Sequence, residues 1–120
     1  MNIAIITARG GSKRIPHKNI KKFCDRPIIE YSIQAAKEAD KVVIFAGLPD
    51  SFESEGYDRS HMELPECQNR LIAEILEVQP NAVIVLHNGS PVEMPWINDV
   101  KGILEAYLGG QAGGAAVANI

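Results

Sequence analysis

The chain has 120 residues, 46% of them hydrophobic and 22% charged, with a formal net charge of −3. That length suits one domain, and the composition excludes a globally disordered chain and a collagen-like or low-complexity repeat. No apolar stretch approaches the ~20 residues of a membrane span. The start MNIAIITARG lacks the basic opening and long apolar run of a secretory signal, so a soluble, cytoplasmic protein is expected.

Ile3-Ala4-Ile5-Ile6 is a continuous β-branched run and reads as a buried strand over about 2–7. It breaks at Arg9-Gly10-Gly11-Ser12, and Pro16 with Lys18-Asn19 keeps the next stretch irregular. Pro27 suits the first turn of a helix over about 27–38. Val42 to Ala46 reads as a second strand, over about 41–46. The polar stretch 47–63 is a long loop, and such loops are usually functional or disordered. Leu64, Cys67, Leu71, Ile72, Ile75, Leu76 and Val78 form a helix-period stripe, predicting a helix over about 65–78 that Pro80-Asn81 ends. A third strand follows at about 82–87 and a short helix near 94–99. Ile103 to Leu108 fits either a strand or a helix, and a short helix is expected near 113–119. This rhythm predicts an α/β fold: one domain over 1–120, of two or three layers, with a four-stranded parallel sheet like a Rossmann-like or flavodoxin-like fragment. The strand order is expected to be 1-2-3-4, with 2-1-3-4 as the alternative.

Cys24 and Cys67 lie far apart, with no CxxC or Cys/His spacing, and read as reduced thiols. The charge is unevenly spread. Seven of the twelve basic residues fall between Arg9 and Arg26, whereas Glu38 to Glu77 holds ten acidic residues against three basic ones. The basic block suggests an anion site. It contains one aromatic, Phe23, and no stacking ladder, so nucleic acid is not expected as a partner. In ARGGSKRIPHKN, Gly10 and Gly11 let backbone N–H groups face an anion, and Ser12, Arg9, Lys13 and Lys18 supply further donors. Neither the Walker pattern nor GxGxxG is present. A basic surface loop explains the same residues.

The run IAIITARGGSKRIPHKNIKKFCDRPIIEYSIQAA resembles the N-terminus of acylneuraminate cytidylyltransferases, which transfer CMP from CTP to sialic-type sugar acids. By that resemblance Arg9, Ser12, Lys13, Lys18 and Asn19 would contact CTP. Asp25 departs from a position where that family usually has Gly. The family's later sugar-binding and metal-binding segments do not follow Asp40.

The loop segment ESEGYDR concentrates Glu53, Glu55, Asp58 and Arg59. Paired carboxylates can serve as general acid and base, but an acidic loop pinned by Arg59 is the simpler reading of these residue types. His61 and His87 are too widely placed for a metal site. Residues 39–119, from ADKVVIFAGLPDSFESEGYDRSHMELPE through VIVLHNGSPVEMPW to ILEAYLGGQAGGAAVAN, resemble the second, α/β-sandwich domain of glycoside hydrolase family 3 β-glucosidases. The resemblance implies that ESEGYDR projects into the active site of a separate barrel domain. Glu55 would match the acid/base carboxylate, while the nucleophilic Asp lies in the barrel. It also implies that ILEAYL is a strand and AGGAAVAN a helix.

Taken together, the two resemblances predict a chimera. Residues 1–38 would be a cytidylyltransferase-like βα unit and 39–120 a glycoside hydrolase family 3-like segment, joined by engineering between a helix and a strand. Such a chain would have no intact catalytic site, no cofactor and no metal. It would bind phosphate or CTP weakly at 9–19 and associate as a homodimer through an uncovered sheet face. The alternatives are a nucleotidyltransferase-like CTP-binding protein and a glycoside hydrolase fragment.

Overall fold

The computed structural model describes residues 1–8 and 22–120. Its elements are β1 (Ile3–Thr7), β2 (Lys22–Phe23), β3 (Arg26–Pro27), α1 (Ile28–Glu38), β4 (Lys41–Gly47), α2 (Glu66–Val78), β5 (Ala82–His87), β6 (Gly102–Glu105) and α3 (Gly113–Ala118). Four strands make one parallel sheet in the order β1-β4-β5-β6. This is the 1-2-3-4 order of the main strands; the 2-1-3-4 alternative is not adopted. The register runs from Ile3 opposite Lys41, through Val42 opposite Ala82, to Val83 opposite Gly102.

Burial alternates along β1 and β4, whereas in β5 Val85 on the other face is buried too and β6 is intermediate throughout. Ile6, Val42, Ile44, Ala46, Ala82, Ile84 and Leu86 point into the core. There they meet Ala36 of α1 and Leu71, Ile72 and Ile75 of α2. The two long helices pack on each other, so right-handed crossovers have placed both on the same face. On the opposite face Ile3 is 49% and Ile5 70% exposed. Phe45 and Val83 on that face are half-buried. The short helix α3 buries none of its residues.

Three local features differ from the sequence-based expectation. Cys24 (φ 49°) and Asp25 (φ 65°) form a left-handed turn. It joins β2 and β3 into a small antiparallel hairpin where irregular chain is expected. At 94–99 the chain makes turns, with Ile97 N bonded to Met94 O and Asp99 N to Trp96 O, and no helix forms. The last strand stops at Glu105, short of Leu108.

Candidate functional site

In a parallel sheet every strand ends at the same edge, and the loops there lie side by side. At this carboxyl edge the segments 48–65, 88–91 and 106–112 leave β4, β5 and β6. The first of these carries the acidic cluster. Phe52 N and Glu53 N both bond Pro49 O, which turns the chain back at once. Ser54 then bridges Tyr57 across a tight turn, with Tyr57 N bonded to Ser54 O at 3.2 Å. Gly56 at φ +73° occupies the third position of that turn, where the type II conformation demands a residue without Cβ strain. Glu55, just before it, stands exposed at the tip.

The two sides of this tip are fastened to the loop after β5. Glu53 accepts a hydrogen bond from Gly89 N through Oε2 at 2.8 Å. Arg59 donates through Nη2 to Ser90 Oγ at 3.0 Å and to Pro91 O at 2.6 Å. Its Nη1 is buried without a partner. Farther along, Met62 O accepts from Glu93 N at 2.8 Å. The expected pinning role of Arg59 is thus present, but its anchor is the 90–91 backbone and hydroxyl rather than the neighbouring acids.

The carboxylates therefore separate by function. Glu53 is half-buried and spent on a backbone N–H, whereas Glu55 and Asp58 face solvent. An open groove of about 570 Å³ lies beneath the loop, lined by Phe52, Tyr57, Arg59 and His61 among others. Glu55 is not part of its lining. His61 sits 4.0 Å from Glu63 and edge-on to Phe52, while His87 stacks on Phe45. Among the described residues no cluster of three metal-ligating side chains exists. Cys24 and Cys67 are free and exposed.

The predicted nucleotide contacts Arg9, Ser12, Lys13, Lys18 and Asn19 all lie outside the described residues. Asp25 does not: it is exposed in the β2–β3 turn.

The residue that sequence reasoning missed is Gln68. It is 1% exposed in α2. Its Oε1 accepts from Gly47 N at 2.9 Å and its Nε2 donates to Gly47 O at 2.7 Å. The expected stripe assigned this helix face to Cys67, which is exposed instead. The signal was available: Gln68 stands four residues after Leu64 and three and four before Leu71 and Ile72, a polar residue on an apolar stripe.

Residues 6–120 match the glycosyl hydrolase family 3 C-terminal domain. The chain belongs to that family. It is 60% identical over 96 residues to the thermostable beta-glucosidase B of Acetivibrio thermocellus, covering 80% of this chain and 13% of that protein. It is 40% identical over 111 residues to the probable beta-glucosidase I of Aspergillus flavus, covering 92% of this chain and 12% of that one. The structure of a GH3 beta-glucosidase from Bifidobacterium adolescentis superposes with a TM-score of 0.80 at 33% identity, over 99% of this chain and 22% of that chain. The chain thus spans only a small part of the glycosyl hydrolase family 3 proteins it matches.

This single match overturns the two-part reading. The family domain runs through the supposed join at 38/39 and reaches back into β1, so the chain is neither an engineered chimera nor a cytidylyltransferase-like CTP binder. The structure has no seam there either. Asn2 N donates to Asp40 Oδ2 at 2.7 Å and Asn2 O accepts from Asp40 N at 2.9 Å. Gln79, after α2, bonds back to Ala39 O. A strand, a glycine turn and a helix recur in many parallel α/β folds, so such a unit carries little family information.

Proposed function

We propose that this chain is the part of a family 3 β-glucosidase that delivers the general acid/base, Glu55, to a sugar-binding site on another part of the enzyme. The observation that carries the reading is a carboxylate on an exposed tip whose two flanks are both clamped. The tip has no wall of its own, so its substrate must be held elsewhere. Hydrolysis needs a second carboxylate across the scissile bond. By the family resemblance that nucleophile belongs to a barrel domain. When it attacks the anomeric carbon, the Glu55 carboxyl gives its proton to the glycosidic oxygen and the C–O bond breaks. The alcohol leaves, and the Glu55 carboxylate then takes a proton from the water that releases the sugar. These 120 residues alone supply half of that pair and turn over no glucoside. The exposed thiols of Cys24 and Cys67 suit a reducing compartment such as the cytoplasm.

The test is a graft. The matching 96-residue stretch of the Acetivibrio enzyme is replaced by that of this chain. The graft should hydrolyse aryl and alkyl glucosides. Glu55→Gln should lower kcat on an alkyl glucoside about 10²–10⁴-fold, the usual worth of a general acid. An active graft indifferent to Glu55→Gln would refute the assignment.

A further inference from the structure

We infer that Gln68 is a positioning residue for the acid/base tip. The inference rests on the reading of Glu55 given above. Gly47 is the last residue of β4, and the loop that carries Glu55 begins at Leu48. The same loop ends at Pro65 and runs directly into α2, which carries Gln68. The two hydrogen bonds between the Gln68 amide and the Gly47 backbone therefore close the base of the loop, tying entry to exit. Both polar groups of the side chain are used, and both atoms of Gly47 that the sheet no longer pairs are satisfied. The next peptide is fixed as well, since Leu48 N bonds His87 O at 3.1 Å. Gly47 itself admits no side chain, since a Cβ there would lie 2.0 Å from His87 O. With the base closed by Gln68 and the flanks held by Glu53 and Arg59, the tip keeps one direction. The side-chain hydrogen bonds of Gln68 go to Gly47 and not to the tip, so it acts on the reaction through loop placement.

Loss of positioning and loss of fold leave different kinetic marks. A misplaced acid harms substrates whose leaving group needs a proton and spares those whose leaving group does not. In the graft, Gln68→Leu should cut kcat on an alkyl glucoside about 10- to 100-fold, as expected for an acid displaced by about 1 Å, with KM changed little. On a dinitrophenyl glucoside kcat/KM, which reports only the step that forms the glycosyl-enzyme, should hold, as it should for Glu55→Gln. Assays run well below the melting temperature of each variant, and Gln68→Asn serves as the milder second change. An equal loss of kcat/KM on both substrates overturns the inference, because unfolding removes all activity alike. Full activity of Gln68→Leu overturns it too.

Deuterium exchange on the 120-residue chain gives a readout independent of catalysis. In Gln68→Leu, exchange should quicken over residues 48–62 while β4 and β5 stay protected. Unchanged exchange there overturns the inference. An inactive native graft, or an active one unaffected by Glu55→Gln, would instead sink the reading of Glu55, and the exchange experiment would still decide whether Gln68 holds the loop.

Discussion

Single residues at the carboxyl edge are held by contacts with little freedom, and Gly47 is the most constrained. Its close approach to His87 O excludes any side chain. Gly47→Ala should therefore destabilise the chain by about 1–3 kcal/mol, the range for a forced backbone conformation, read as a lower urea midpoint with an unchanged slope. Gly56 offers a contrast. A Cβ there meets nothing within 4 Å, so only its φ of +73° resists substitution, and Gly56→Asn should be milder than Gly56→Val. Arg59 makes two bonds from one nitrogen, to a hydroxyl and a carbonyl. Arg59→Ala removes both, at a cost of about 1–3 kcal/mol for hydrogen bonds from a charged group, and should release the 57–62 segment to faster amide exchange. Much of this was readable beforehand. An acid cluster, a following Gly and an Arg three positions beyond that Gly mark the ESEGYDR turn. The roles within the cluster were not readable, because Glu53 differs from Glu55 only through Gly89, a residue 36 positions away.

The elements themselves were set by apolar periodicity. The strands at 3–7, 41–47 and 82–87 and the helices at 28–38 and 66–78 fall within a residue of the expected bounds. The β2–β3 hairpin was not legible, because its turn uses Cys24 and Asp25 in the left-handed region, without the Asn-Gly or Asp-Gly pair that normally announces it. The stretch 94–99 makes only turns instead of the expected helix, and Trp96 within it is buried with its Nε1 bonded to Asn69 Oδ1 at 3.0 Å. Helix α2 does most to hold the core. Leu71, Ile72 and Ile75 are all at 2% exposure or less. Its outer face is polar, and there Arg70 bonds Glu74 at 2.8 Å, which raises the guanidinium pKa. Ile75→Ala should cost about 2–5 kcal/mol, as for buried aliphatic truncations, whereas Arg70→Ala should shift thermal unfolding hardly at all. Differential scanning calorimetry compares the two directly.

At the scale of the whole molecule, the strand order puts both long helices on one face of the sheet and, among the described residues, neither of them on the other. Ile3 and Ile5 project from it on the edge strand β1. We expect the 120-residue chain by itself to self-associate through Ile3 and Ile5, since exposed apolar side chains grouped on one face favour association. Ile5→Lys should shift the sedimentation profile to the monomer and leave the melting temperature nearly unchanged. A monomeric native chain at tens of micromolar would contradict this. The two edges of the sheet also differ in kind. At the amino edge the returns are brief: Ala39 and Asp40 into β4, Gln79 to Asn81 into β5, each tied down by backbone or side-chain hydrogen bonds. At the carboxyl edge the return from β4 to α2 is long. Its tip, between the Glu53 and Arg59 anchors, includes one internal bridge, from Ser54 to Tyr57. Heritable change is therefore filtered unequally. A lineage can rewrite the exposed residues beside Glu55 and Gly56 and explore new specificities while the scaffold stays intact, but a single insertion at 39–40 strikes the fold itself.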